Sequence, residues 1–126
     1  SVVHGDTKIA NILFESNKAI AFIDLDTAMT GYPAEDIADC IRSCCVKEGK
    51  TDTAAANLLI SGYIEAAGRE DAAGLKEKIP FAFDKIVFEL ALRYYTDSIS
   101  VKKHFKEKYP GYRIERVRSL LDLKWE

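Results

Sequence analysis

The sequence predicts a mainly α-helical chain with one short β-hairpin near its N-terminus, an α+β arrangement. Three observations carry this prediction. Two short apolar runs, residues 12–14 and 19–23, flank the polar turn Glu15–Lys18, as strands flank a hairpin turn. From Pro80 to about Ile99, apolar residues recur at helical spacing around most of the wheel, the mark of a core helix. Pro33, followed by Glu35 and Asp36, has the composition of a helix N-terminus. At 126 residues, 48% apolar and 30% charged, the chain suits one ordinary globular domain with a real core. A net charge of −2 gives no general case for binding nucleic acid or an anionic membrane. No apolar run approaches the ~20 residues of a membrane span.

Taken in order, Val2 and Val3 form an extended lead-in. Asp6, Asn11 and Asp24 then stand out. A two-residue turn at Ser16-Asn17 pairs Glu15 with Lys18 and, counted outward, sets Asn11 opposite Phe22. Asp24 falls diagonally across, within roughly 7–8 Å. One oxygen from each of Asn11 and Asp24 suits a hard, partly hydrated Mg²⁺, and Asp6 is left free to accept a proton. Taken singly, such residues near a hairpin are more often turn formers than ligands. The spacing of all three is what argues for a site.

His4-Gly5-Asp6, with Asn11 five residues on and Asp24 after an apolar run, resembles the catalytic loop and metal-binding acid of kinase-like phosphotransferases. Protein kinases write these motifs H-R-D-x-x-x-x-N and D-F-G. Gly5 in place of Arg, and Asp24-Leu25-Asp26 in place of D-F-G, resemble the aminoglycoside phosphotransferase and choline kinase branch. Residues 23–27, 36–42 and 89–97 are most similar to the N-acetylhexosamine 1-kinases. The likeness is strong over 3–42, moderate over 81–97 and weak elsewhere. It implies the C-terminal lobe of such an enzyme, with ATP as phosphoryl donor, Mg²⁺ on Asn11 and Asp24, and Asp6 as the base. It implies His4 as structural support, and Asp36 as a brace for the loop backbone; Asp36 reads equally as an acid that offsets the helix dipole. Lys8 is either a cation for the transferring phosphoryl group or a solvated loop lysine. Asp26 either contacts metal or substrate or caps a turn. Because Ser1 opens almost directly on this loop, the chain is expected to be a fragment. The nucleotide-binding N-terminal lobe would be its missing partner, and the fragment alone would be inactive.

Beyond the loop-like stretch 25–33, the helix from Pro33 is expected to bury Ile37, Cys40, Ile41, Cys44 and Cys45. Three clustered cysteines without Cys-x-x-Cys spacing or nearby histidines argue for reduced thiols rather than zinc, and so for the cytoplasm. Residues 48–52 read as a connection. Asp52 or Thr51 caps a helix from 53 to about 67, with Ala55, Leu58, Leu59, Gly62, Tyr63 and Ala66 inward, ended by Gly68. A short exposed helix is expected over 69–78.

Pro80 opens the long core helix. Phe83, Ile86, Val87, Leu90, Ala91 and Tyr94 share one side, and Phe88, Leu92, Tyr95 and Ile99 continue the arc. The polar stripe Lys85, Glu89, Arg93 and Thr96 has two readings: a Glu89–Arg93 ion pair at i,i+4, or Arg93 lining a polar substrate cleft, which the resemblance favours. Lys102–Lys108 reads as a solvated basic helix end with His104 at the surface. A last helix, 113–125, is expected to turn Ile114, Val117, Leu120 and Leu121 inward. The function expected from the whole is phosphorylation of a hydroxyl on a small-molecule acceptor, a sugar such as an N-acetylhexosamine. The rival is a non-catalytic binding or assembly module. Self-association through apolar patches is a secondary expectation.

Overall fold

The computed structural model describes residues 1–68 and 72–125. Four helices dominate: α1 Pro33–Cys44, α2 Thr53–Ala67, α3 Ala72–Ile99 and α4 Tyr112–Asp122. The β content exceeds the single hairpin expected. Among the described residues there are three antiparallel two-stranded pairs: β1 Val2–Val3 with β4 Met29–Thr30, β2 Ile12–Glu15 with β3 Lys18–Phe22, and β5 Val46–Lys47 with β6 Lys50–Thr51. The first was hidden because β4 lies in a stretch that reads as loop. The third turns on Glu48 and Gly49, both at positive φ, the backbone of a tight hairpin turn.

Helix α3 is the spine, packed against α1 and against α4. Phe83, Ile79, Ile37 and Ile41 are the largest fully buried side chains. They join Ala38, Ala56, Ile60, Leu75, Val87, Ala91, Leu120 and Leu123 in one core. Trp125 closes it edge-on against Phe83, with ring centres 5.5 Å apart.

Helix α1 starts with Pro at its first turn, Glu35 and Asp36 beside its N-terminal dipole, and Arg42 in its last turn. It buries Ala34, Ile37, Ala38 and Ile41, and Cys45 is buried just past its end, while Cys40 and Cys44 are only half-buried. Their sulfurs are 3.8 Å apart. Burial, reinforced by Cys44, pushes the Cys40 thiol up to about 12. Helix α2 is capped as its sequence predicts. Asp52 Oδ1 accepts the Ala55 N–H at 3.0 Å, and Gly68 ends the helix in the left-handed region. Its inward face is rotated from the expected one. Ala56 and Ile60 are buried, whereas Leu58, Gly62 and Ala66 face solvent. The helix is apolar nearly all round, so periodicity did not fix its orientation.

The separate helix expected over 69–78 is part of α3, which runs straight through Pro80; residues 69–71 of that expectation lie outside the described residues. An interior proline removes one helix hydrogen bond and costs about 3 kcal/mol. Leu75 and Ile79, both buried, offset that cost on the N-terminal side of the proline. The expected inward arc Phe88, Leu92, Tyr95 and Ile99 is exposed, because α1 and α4 already occupy the other sides of α3. Helix α4 likewise leaves Ile114 and Leu121 exposed.

Lys102–Lys108 is not a helix end. α3 stops at Ile99, and residues 100–111 form an irregular loop wrapped on Asp97, which is only 3% exposed. Asp97 accepts the N–H groups of His104 and Phe105 and, at 2.6 Å, Nε–H of Arg113. Arg113, 7% exposed, also donates to the Phe105 carbonyl and pairs with Glu107 at 2.7 Å. Burial opposes ionisation of Asp97. The two N–H groups and Arg113 outweigh it and hold the carboxyl below its ordinary value of 3.8.

Candidate active site

The loop between β1 and β2 is fastened to one face of α1. Asp36 accepts the N–H of His4 at 2.7 Å on one carboxylate oxygen and that of Gly5 at 2.8 Å on the other. The Thr7 hydroxyl donates to the Asp36 carbonyl, and Ile9 N–H donates to Ser43 Oγ at 2.8 Å. Asp36 and Ser43 are seven residues apart, so two turns of one helix face grip the loop from His4 to Ile9. Gly5 is at φ +81°, and a Cβ there would stand 2.7 Å from the Thr27 carbonyl oxygen. Only glycine fits, which gives the Gly5 of the motif a steric reason.

His4 ties the loop to the end of the hairpin. Its Nδ1 accepts the Asp6 N–H at 3.3 Å, and its Nε2 donates to the Ile23 carbonyl at 2.9 Å. The Ile23 N–H in turn reaches the Asn11 carbonyl at 3.0 Å. Ile23 is therefore held from both sides, and Asp24 follows it directly. The hairpin register differs from the expected one. Ile12, not Asn11, opposes Phe22, and a β-bulge between Leu13 and Phe14 leaves Ile20 as the extra residue. Asn11 sits outside the strand in the short 3₁₀ turn Ile9–Asn11, beside Ile23. A bulge leaves no mark in an alternation as short as this one.

Asn11 is 5% exposed. Its Nδ2 donates to the Asp6 carbonyl at 2.9 Å and to Asp6 Oδ2 at 3.1 Å. Two acceptors at that end fix which way the amide points. Its Oδ1 has no hydrogen-bond partner among the described residues. No described buried side-chain N or O lacks a partner, so that oxygen reaches solvent. Lys8 Nζ is 2.7 Å from Asp6 Oδ2. Asp6 thus has one oxygen held by Lys8 and Asn11 and the other, Oδ1, without a partner among the described residues.

Asp24 lies in the left-handed region, φ 64° and ψ 63°, which a short polar side chain tolerates better than most. Its carboxylate and that of Asp26 are exposed and have no hydrogen-bond or ion-pair partner among the described residues. The described residues contain no cluster of three or more His, Cys, Asp or Glu fit to hold a metal by themselves. Asn11 and Asp24 can offer two oxygens. That suits Mg²⁺, which is bound by one or two protein oxygens together with water and substrate phosphates.

Asp6, Lys8 and Asp36 border a cavity of about 530 Å³ that reaches α3 and α4, within the size range of small-molecule sites. Arg93 lines it, as do Arg116 and the apolar Ile86, Leu90, Tyr94 and Phe105. Asp24 and Asp26 do not. The Glu89–Arg93 pair does not form. Lys85 lies 3.8 Å from Glu89 and 2.6 Å from Glu35. Arg116 escaped the sequence reading, and Asp39 and Arg42 entered it only within the likeness over 36–42, without a role. Asp39 and Arg42 pair at i,i+3, a spacing open to inspection, whereas nothing in the sequence placed Arg116 beside Arg93.

Fold and cavity together define a pocket of small-molecule size with a braced, half-satisfied carboxylate in its wall. The match to known sequences is more particular. The family model described as the phosphotransferase enzyme family, APH, matches residues 1–76, more than half of the 126. The chain belongs to that family, and in general terms is a kinase-like phosphotransferase. Among the described residues no helix is long and apolar enough to cross a membrane.

Proposed function

We propose that Asp6 orients and deprotonates a hydroxyl of a small molecule held in the cavity, and that this hydroxyl receives the γ-phosphoryl group of ATP. One observation carries the reading. Asp6 borders the cavity with one oxygen unpartnered, while Lys8 and Asn11 fix the other. A base must be positioned before its proton affinity matters. Here the loop is pinned by Asp36, Ser43 and the His4 ring, so the carboxylate needs little reorganisation to act. Lys8 offsets charge beside the transferring group. Bound to Asn11 and Asp24, Mg²⁺ would neutralise charge on the donor phosphates. The resemblance to N-acetylhexosamine 1-kinases supports a sugar as acceptor. Free Cys40, Cys44 and Cys45 support a cytoplasmic setting.

The reading includes a donor lobe outside residues 1–126. Among the described residues every sheet has two strands, and the resemblance reaches no phosphate-covering loop. Residues 1–126 alone are therefore expected to turn over poorly. The hairpin side exposes Leu13, Phe14, Ile20, Phe22 and Leu25, which supports a covering partner there. The second reading, a non-catalytic module, is favoured by that same dependence on a partner.

The test is ADP release by the whole gene product across sugars, choline and homoserine, with Mg²⁺ titrated. The proposal expects turnover with at least one acceptor, and a raised Mg²⁺ requirement in Asn11→Ala and Asp24→Ala. Metal dependence unchanged in both variants removes these residues from the metal role. Absence of turnover with every acceptor favours the module.

A further inference from the structure

The charges around the cavity are distributed unevenly. On the α1 side Asp6 holds Lys8 and Asp39 holds Arg42 at 2.8 Å, and between α3 and α1 Lys85 is shared by Glu89 and Glu35. Asp36 is occupied by two backbone N–H groups. On the α3–α4 side two guanidinium groups lack a carboxylate. Arg93 has no hydrogen bond or ion pair among the described residues, although Glu89 stands one helical turn away. The Arg116 guanidinium has only the Ser119 hydroxyl, at 3.3 Å, among the described residues.

Both arginines lie over aromatic faces instead. Arg93 Cζ is 5.7 Å from the Phe105 ring centre, and Arg116 Cζ is 5.8 Å from that of Tyr94. The two rings stack on each other, with centres 4.0 Å apart and planes 18° from parallel. A ring face supports a guanidinium without using its N–H donors. The stack thus holds two cations in place with their donors largely uncommitted, and it is anchored in turn. Phe105 gives its N–H to Asp97 and its carbonyl to Arg113.

We propose that the acceptor carries, besides the hydroxyl presented to Asp6, an anionic group, a carboxylate or a phosphate, bound by the uncommitted donors of Arg93, with Arg116 adding positive charge to the same cavity wall. This rests on the phosphotransferase reading and narrows its substrate class. Planar guanidinium groups match both anions through paired N–H donors. The supported side chains lose little freedom on binding. An acceptor with a cationic group in the same place would meet two unneutralised arginines.

The test is calorimetric binding without nucleotide, using glucose, glucosamine, glucuronate and glucose 6-phosphate as probes. These share a pyranose and differ in charge. Glucuronate or glucose 6-phosphate is expected to bind at least about tenfold tighter than glucose, the worth of a charge-assisted hydrogen bond. The stronger of the two tells carboxylate from phosphate. Arg93→Gln should erase most of that preference, and Arg116→Gln should weaken it. Arg93 is exposed, so Arg93→Gln serves if the α4 variant fails to fold. Equal affinity for all four probes, no affinity for either anion, or a preference that survives Arg93→Gln overturns the inference. Because ATP is absent, the outcome is separable from turnover. Anion preference without ADP release would count against the phosphotransferase reading alone. Turnover of neutral sugars without anion preference would count against this inference alone.

Discussion

Two aspartates in this chain do the same local work to different ends. Asp36 takes the N–H groups of His4 and Gly5, and Asp97 takes those of His104 and Phe105. Each carboxylate fixes a loop that borders the cavity. Asp36 is half-buried, has no cationic partner, and reaches back 31 residues to Gly5. Asp97 is buried against Arg113 and reaches forward 8 residues to Phe105. The first brace fixes the loop that carries Asp6. The second closes the C-terminal part of the fold and presents one aromatic wall. Identical hydrogen bonding therefore serves position in one place and stability in the other, and substitution can separate the two.

The largest expected effect is on turnover. Asp36→Ala frees two backbone N–H groups that set the path of the loop. A displacement of about 1 Å at a reacting group costs roughly 10²-fold in rate, so kcat of the whole gene product should fall by about that factor with a small change in Tm. A loss of Tm as large as that of Asp97→Asn would dissolve the contrast between the braces.

Asp97→Asn should act the other way. It removes the buried carboxylate from Arg113 and leaves the half-exposed Glu107 as its one anionic partner among the described residues, a severe defect. Tm is expected to drop on the order of 10 °C, while kcat below the melting range changes only a few-fold. Differential scanning calorimetry with parallel assays would show a reversal of that order if the account is wrong.

Gly5→Ala should come next. A left-handed backbone costs a residue with a Cβ about 1–2 kcal/mol, and the Thr27 carbonyl stands in the way. Both turnover and stability should fall, turnover more. Urea melts with wild-type stability would show that the loop has another path.

The smallest effect is the pH dependence of the second brace. The folded state holds Asp97 below its ordinary value of 3.8. The stability from this depression is therefore present above that value and is lost as pH falls through the lower, folded one. The Tm gap between wild type and Asp97→Asn should narrow as pH drops below 3.8. A gap that widens in acid contradicts the assignment.

The same contrast explains what was legible beforehand. The Asp36 brace belongs to a short motif block, and Pro33, Asp52 and Gly68 mark helix ends through backbone chemistry that a sequence displays directly. The Asp97–Arg113 clamp joins residues 16 apart through an irregular loop, and no periodicity connects them. Pro80 misled because a proline that usually opens a helix is carried here by buried neighbours on both sides. The rotated face of α2 and the exposed stripe of α3 share one cause. Where nearly every position is apolar, the packing partners choose the inward face. At the site, spacing singled out Asp6, Asn11 and Asp24, but the register that was to place them shifted with the bulge at Ile20, and neither that bulge nor the contact of Ser43 with the loop leaves a mark in the sequence.

The central claim is that Asp6 is the positioned base of a phosphoryl transfer. The direct measurement is steady-state ADP release by the whole gene product carrying Asp6→Asn, with the acceptor that wild type uses best. A positioned base contributes about 10²–10⁴-fold. The account predicts that kcat falls within that range, the KM for ATP stays near its wild-type value, and the melting curve is preserved. Retention of most of the wild-type kcat would contradict it.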